Sequence, residues 1–172
     1  MLILGIDPGT ATTGYGILKV ENGLFEVVDF GLIETNKNGT PPKRLEAIYK
    51  QMLTIFKDFR PDVMAIERLF FATNAKTAMQ VGQAQGVMIF SAAKSKTQVV
   101  EYAPATIKKM ISGNGRADKK EIQKSLRKIL GAAVRSRPKK KSHFDNAADA
   151  LAVALCHALK SKNLPFSESG GG

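Results

Sequence analysis

The sequence predicts an α/β protein: a mixed five-stranded sheet, made of a three-strand antiparallel meander plus parallel strands, with helices on both faces. Three observations predict it. Short apolar runs of strand length stop abruptly at turn residues. Asn22-Gly23 separates two such runs, the signal for a two-residue hairpin. Later apolar runs alternate with segments of helical period, the pattern of parallel strands linked by helices.

Leu2–Asp7 is the first strand, closed by Pro8-Gly9. Gly14–Val20 and Phe25–Glu34 follow across the Asn22-Gly23 turn and complete the meander. Pro41-Pro42 opens a helix to about Phe59, in which Leu45, Ile48, Tyr49, Met52, Leu53 and Phe56 recur at helical spacing. Arg60-Pro61-Asp62 stops it, and Val63–Glu67 is a fourth strand.

Asn74–Lys94 reads as a long helix. Its small residues Ala75, Ala78, Gly82, Gly86 and Ala93 suit either ordinary packing or a dimer interface. Gln98–Tyr102 is a fifth strand and Pro104–Ile111 a short helix. Gly113-Asn114-Gly115 breaks the chain before Asp118-x-x-Glu121, an N-cap pair that opens a helix buried through Ile122, Leu126, Ile129 and Leu130. The last helix, about Asp145–Lys160, is apolar nearly all round and belongs against the sheet. Residues 1–162 form one domain in this reading, and 163–172, ending in three glycines, form a disordered tail.

Composition narrows the function. The chain has 172 residues, 26 Lys+Arg, 15 Asp+Glu and one Cys, with a net charge of +11. A single cysteine excludes an internal disulfide framework and predicts a reducing, cytoplasmic setting. No apolar run reaches the ~18 residues of a membrane span, and no basic stretch precedes the first strand, so neither a membrane anchor nor a secretory signal is expected. Residues 94–141 carry 15 basic and 3 acidic side chains, and the remainder carries 11 and 12, so this one segment holds the whole excess. Such a cluster points to a polyanion, because Lys and Arg neutralise phosphates and release counterions.

Four carboxylates stand where an apolar setting makes them costly. Asp7 and Glu67 each end an apolar strand. Asp149 lies inside the apolar last helix, with Asp145 one turn before it and Asn146 at i−3. Converging carboxylates repel, and a divalent cation relieves them. Oxygen donors without a His or Cys cluster suit Mg²⁺, with Mn²⁺ as a substitute. Two such ions, about 4 Å apart, can activate a water and stabilise a leaving oxygen in phosphodiester cleavage. Three of these acids also have a structural reading, whereas nothing near Asp149 in sequence neutralises it. Asp7 could initiate the Pro-Gly turn, Glu67 could pair with a neighbouring cation, and Ser142-x-x-Asp145 matches a capping box.

From Ile3 to about Lys160 the chain resembles the RuvC-type Holliday junction resolvases of the RNase H-like superfamily. The motifs are Leu4-Gly5-Ile6-Asp7-Pro8-Gly9 with Thr13-Gly14-Tyr15-Gly16, Ala65-Ile66-Glu67 with Phe70, Gly82-Gln83-Ala84-Gln85-Gly86, and Ala147-Ala148-Asp149-Ala150-Leu151-Ala152. The resemblance implies a homodimeric, Mg²⁺-dependent endonuclease that nicks opposing strands of a four-way DNA junction during recombination and repair. It also implies work beside a branch-migration complex of the RuvA and RuvB type. By matching position, Asp7, Glu67 and Asp149 would hold metal, and Phe70, or Phe71 beside it, would contact bases. Lys108 and Lys119 would lie near the scissile backbone. Arg116 and Lys120, in the same basic segment, are further candidate DNA contacts.

One position departs from the family pattern, which has Asp or His three residues before the last Asp. Here it is Asn146, a catalytic and metal-site candidate that keeps an oxygen donor but lacks charge. Either Asp145 substitutes from i−4, or Asn146 is an engineered, nearly isosteric replacement of Asp. The departure keeps a junction-binding but cleavage-deficient protein as an alternative. An RNase H-like nuclease acting on another substrate, such as an RNA–DNA hybrid, is a second. Gly5-Ile6-Asp7-Pro8-Gly9-Thr10 is also similar to the phosphate loop of kinase-like folds. Those normally need two such domains, for which 172 residues leave no room.

Overall fold

The computed structural model describes residues 1–9, 11–69, 75–131 and 141–162. The element order is β1 (Leu2–Asp7), β2 (Thr12–Glu21), β3 (Leu24–Glu34), α1 (Pro41–Phe59), β4 (Val63–Glu67), α2 (Ala75–Lys94), β5 (Gln98–Tyr102), α3 (Pro104–Ser112), α4 (Lys119–Leu130) and α5 (Lys141–Lys162). The strands form one sheet in the order β3-β2-β1-β4-β5. β1 and β2, and β2 and β3, pair antiparallel, whereas β4 runs parallel to both β1 and β5. This is the expected mixed sheet.

Local chemistry sets the element ends. Asn22 and Gly23 both have positive φ, 49° and 82°, so a two-residue turn matched to strand twist brings Glu21 opposite Leu24. Pro41 and Pro42 occupy the first positions of α1, where no intrahelical N–H is required. α1 ends with Arg60 in the left-handed region, its N–H bonded to the Phe56 carbonyl, just before Pro61. α4 starts with both halves of the expected capping box. The Glu121 N–H donates to Asp118 Oδ1 and the Asp118 N–H to Glu121 Oε2, each at 2.8 Å. α5 begins at Lys141, four residues before the predicted start. Ser142 therefore lies inside the helix rather than at its N-cap, which removes the capping-box reading of Asp145.

The sheet separates two cores. Leu4, Ile6, Ile17, Met64 and Ile66 face α1 and α2, where Ile48, Met52, Ala84, Met88 and Ala92 cover them. Ile3, Leu18, Val63 and Ala65 face α5, α3 and α4. Leu151, Val153 and Leu155 of α5 are fully buried or nearly so, each contributing about 1.5–3 kcal/mol of burial.

α5 crosses β1 and β2 at close range because the strands offer glycines there. A Cβ on Gly5 would lie 2.1 Å from the Ala150 carbonyl oxygen, and one on Gly14 2.0 Å from that of Asn146. Gly5 pairs with Gly16 and Gly14 with Asp7, so the glycines share one face of the sheet beside Asp7. Among the described residues no helix is long and apolar enough to cross a membrane.

Candidate active site

Strand alternation brings the acids together. Along β1, Ile3, Gly5 and Asp7 face α5; along the adjacent parallel β4, Val63, Ala65 and Glu67 do the same. Ile6 is in register with Ile66, so Asp7 and Glu67 end neighbouring strands side by side. The glycine floor lowers α5 onto that strand end and brings Asp149 to the pair. Glu67 and Asp149 line a cleft of about 230 Å³ with Pro104, Ile107, Lys108, Lys119 and Ile122.

The electrostatics express crowding. Burial, followed by the charges of Glu67 and Asp149, pushes the Asp7 carboxyl up to about 8. Burial also raises Glu67, with the Asp149 charge acting in the same direction, although the neighbouring Asp7 and Lys108 oppose the shift. Asp149 is raised by burial as well, against the pull of Lys119. Lys119 Nζ donates to Asp149 Oδ2 at 3.0 Å and stands 4.0 Å from Asp145 Oδ2. Burial would lower the lysine, but its bond to Asp149 and the charges of Asp149, Asp145 and Asp7 raise it overall.

Among the described residues, no group of three or more His, Cys, Asp or Glu side chains is set to close on one ion. The donor set nevertheless suits a hard divalent cation, since it is all oxygen, half-buried and mutually repelling. The Lys119 ammonium on Asp149 supplies part of the positive charge that such a cation would carry.

The site therefore combines clustered carboxylates at the ends of two parallel strands, a third on a crossing helix, and lysines in the same cleft. Residues 3–157 match the family model described as crossover junction endodeoxyribonuclease RuvC. The chain belongs to the RuvC family. It is 44% identical over 169 residues to the crossover junction endodeoxyribonuclease RuvC of Caldicellulosiruptor saccharolyticus, covering 98% of both chains. It is 46% identical over 158 residues to that of Alkaliphilus oremlandii, covering 92% of this chain and 93% of the relative. RuvC of T. thermophilus in complex with Holliday junction substrate superposes with a TM-score of 0.84 at 30% identity, over 95% of this chain and 96% of that one. That likeness extends to the RNase H-like fold expected above.

Against the RuvC pattern, the remaining candidates divide as follows. Lys108 lies in the cleft near Glu67. Arg116 and Lys120 are exposed at and just beyond the α3–α4 connection. Phe70, Phe71, the basic residues Arg135, Arg137, Lys139 and Lys140, and the tail at 163–172 lie outside the described residues. Asn146 is half-buried on α5, with its main-chain carbonyl against Gly14. Arg68, the nearest cation to Glu67 in sequence, pairs instead with Glu101 at 3.3 Å.

Sequence reasoning found nothing near Asp149 to neutralise it, because its partner Lys119 is 30 residues away. It also missed Gln123, whose Nε2 donates to Asp145 Oδ1 at 2.8 Å. The available signal was its i+4 spacing from Lys119 on one helix face.

Proposed function

We propose that this chain resolves four-way DNA junctions by Mg²⁺-dependent nicking, with Asp7, Glu67 and Asp149 as its metal-holding carboxylates. Its family makes it a crossover junction endodeoxyribonuclease, a metal-dependent hydrolytic nuclease of recombination and repair. This favours a cutting enzyme over the cleavage-deficient alternative, and leaves Asn146 as a neutral oxygen donor beside Asp149. The observation that carries the metal reading is the crowding of Asp7, Glu67 and Asp149, with the Lys119 ammonium held on Asp149.

Asp7, which feels both of the other acids, would hold the metal together with Glu67 and Asp149. Mg²⁺, or Mn²⁺ in its place, would supply an activated water for in-line attack and stabilise the leaving oxygen. The chain's own cations then act on the phosphate. Lys108 and Lys119 bring ammonium groups to the cleft, where negative charge grows in the transition state. Phe70 or Phe71, Arg116 and Lys120 would extend the contact to bases and backbone. The products would be 5′-phosphate and 3′-hydroxyl ends, ready for ligation.

A homodimer would match the two-fold symmetry of a junction. Met79, Gln83, Gly86, Phe90 and Ala93 recur at alternating spacings of four and three along the exposed side of α2. Met79 is 69% and Phe90 55% exposed, and nothing would meet a Cβ on Gly86 within 4 Å. This exposed stripe, apolar apart from Gln83, supports α2 as the dimer face, rather than small-residue packing within one chain. We read residues 1–162 as one nuclease domain, supported by the single sheet, and place the enzyme in the cytoplasm beside a branch-migration complex of the RuvA and RuvB type.

A cleavage panel tests the substrate. In Mg²⁺ the protein should cut a four-way junction well ahead of duplex DNA and of an RNA–DNA hybrid. Preferred cutting of the hybrid would move the assignment to another RNase H-like nuclease.

A further inference from the structure

Asp145 does not act on Asp7, although its charge is felt by Asp149, and it is held in a definite orientation. The residues acting on Asp7 are Glu67, Asp149 and Lys119. Asp145 lies one turn N-terminal to Asp149 on α5, facing α4. There, Lys119 and Gln123 are themselves one turn apart, so the two helices are joined by two rungs. In one, Lys119 Nζ donates to Asp149 Oδ2 at 3.0 Å. In the other, Gln123 Nε2 donates to Asp145 Oδ1 at 2.8 Å.

The second rung leaves Asp145 Oδ2 4.0 Å from Lys119 Nζ. Gln123 contributes a neutral amide, which fixes the carboxylate without cancelling its charge. The capping box beneath Lys119 fixes the base of the lysine, while its four-carbon stem stays adjustable and its side chain half-exposed. The ammonium thus has one carboxylate in hydrogen-bond contact and a second, pre-oriented, about one ångström farther off.

We infer that Asp145, oriented by Gln123, is a positioning residue for Lys119: the carboxylate onto which the ammonium shifts when Asp149 takes up a divalent cation. The inference rests on the proposed metal role of Asp149. An ammonium and a divalent cation compete for the same Asp149 oxygen. Without a second anchor the displaced lysine would swing into solvent. With Asp145 it stays in the cleft, where a phosphate needs it. On this inference Asp145 acts through Lys119 and not as a metal ligand, and does not substitute for Asn146.

The test is a double-mutant cycle read by Mn²⁺ titration calorimetry on the full chain. The proteins are the unmodified protein, Asp145→Asn, Lys119→Met and the double variant. Asp145→Asn keeps an oxygen for Gln123 to bond, so the helix pair stays joined. Lys119→Met should tighten Mn²⁺ binding about threefold or more, since the competitor is gone. Asp145→Asn should weaken it about threefold with Lys119 present and by less than about 1.5-fold in the Lys119→Met background.

On a four-way junction, Asp145→Asn should lower kcat about tenfold with KM unchanged, again only when Lys119 is present. Gln123→Leu should reproduce a weaker form of both effects. Equal weakening of Mn²⁺ binding by Asp145→Asn in both backgrounds would make Asp145 a direct ligand and overturn the inference. So would no weakening with Lys119 present. A protein that completes the Mn²⁺ cycle but cuts no junction would overturn the proposed substrate and leave this inference standing.

Discussion

Gly14 lies against Asn146 so closely that a Cβ on the glycine would sit 2.0 Å from the asparagine carbonyl oxygen. Gly14 is also the β2 partner of Asp7. This contact, with that of Gly5 against Ala150, therefore sets the height of α5 above the strand that carries Asp7, and with it the distance of Asp149 from the other two acids.

Substituting that floor should damage stability and chemistry together. Gly5→Ala and Gly14→Ala each force α5 off the sheet, and overpacking of this kind costs about 1–3 kcal/mol, occasionally more. In a domain of this size that corresponds to a Tm about 2–12 °C lower, read by thermal unfolding. Gly14→Ala should also slow junction cleavage more than Gly5→Ala at a temperature where both are folded, because it lies beside Asp7.

Asp7→Asn should abolish nicking, by about 1000-fold or more, while junction affinity changes little. Gel-shift binding without divalent metal and cleavage in Mg²⁺ separate the two. Nicking that survives would remove Asp7 from the site.

Asn146→Asp adds a charged oxygen one turn before Asp149. Junction cleavage in Mg²⁺ should rise by about tenfold or more, with binding unchanged. Equal rates would mean that the neutral amide already suffices at this position.

The pH dependence follows from Asp7, whose carboxyl is raised from 3.8 to about 8 by burial and by Glu67 and Asp149. A raised acid binds its proton more tightly in the folded chain, so its contribution favours folding at low pH and is lost as pH rises from about 4 to about 8. Mg²⁺ must displace that proton. The Tm gain from Mg²⁺ should therefore be larger at about pH 8.5 than at about pH 6, and Asp7→Asn should flatten the difference. Thermal unfolding with and without Mg²⁺ at the two pH values measures it, and equal gains at both would contradict the protonated site.

Phe90→Asp puts a charge in the exposed stripe of α2 and should turn a dimer into a monomer in sedimentation velocity. Junction cleavage should fall with it, since one protomer presents one cleft.

The strands and most helices were legible because their signals are local: Asn22-Gly23 for the hairpin, paired prolines before α1, and Asp118 with Glu121 before α4. Asp7, Glu67 and Asp149 were legible because an acid at the end of an apolar run or inside an apolar helix needs a reason. The partners were not. Lys119 reaches Asp149, and Gln123 reaches Asp145, across a helix–helix contact whose register no sequence period encodes. The start of α5 was misplaced because Ser142 and Asp145 imitate a cap. The purpose of Gly14 was also hidden, since the need for a missing Cβ appears only once α5 lies across it.

The most direct measurement is strand-resolved cleavage of a four-way junction, each strand labelled in turn, with Mg²⁺ and the unmodified protein. Paired nicks at two-fold-related positions on opposing strands, with ends that a ligase seals, are the expected result. Unpaired cuts on one strand, or cutting of plain duplex at the same rate, would contradict it.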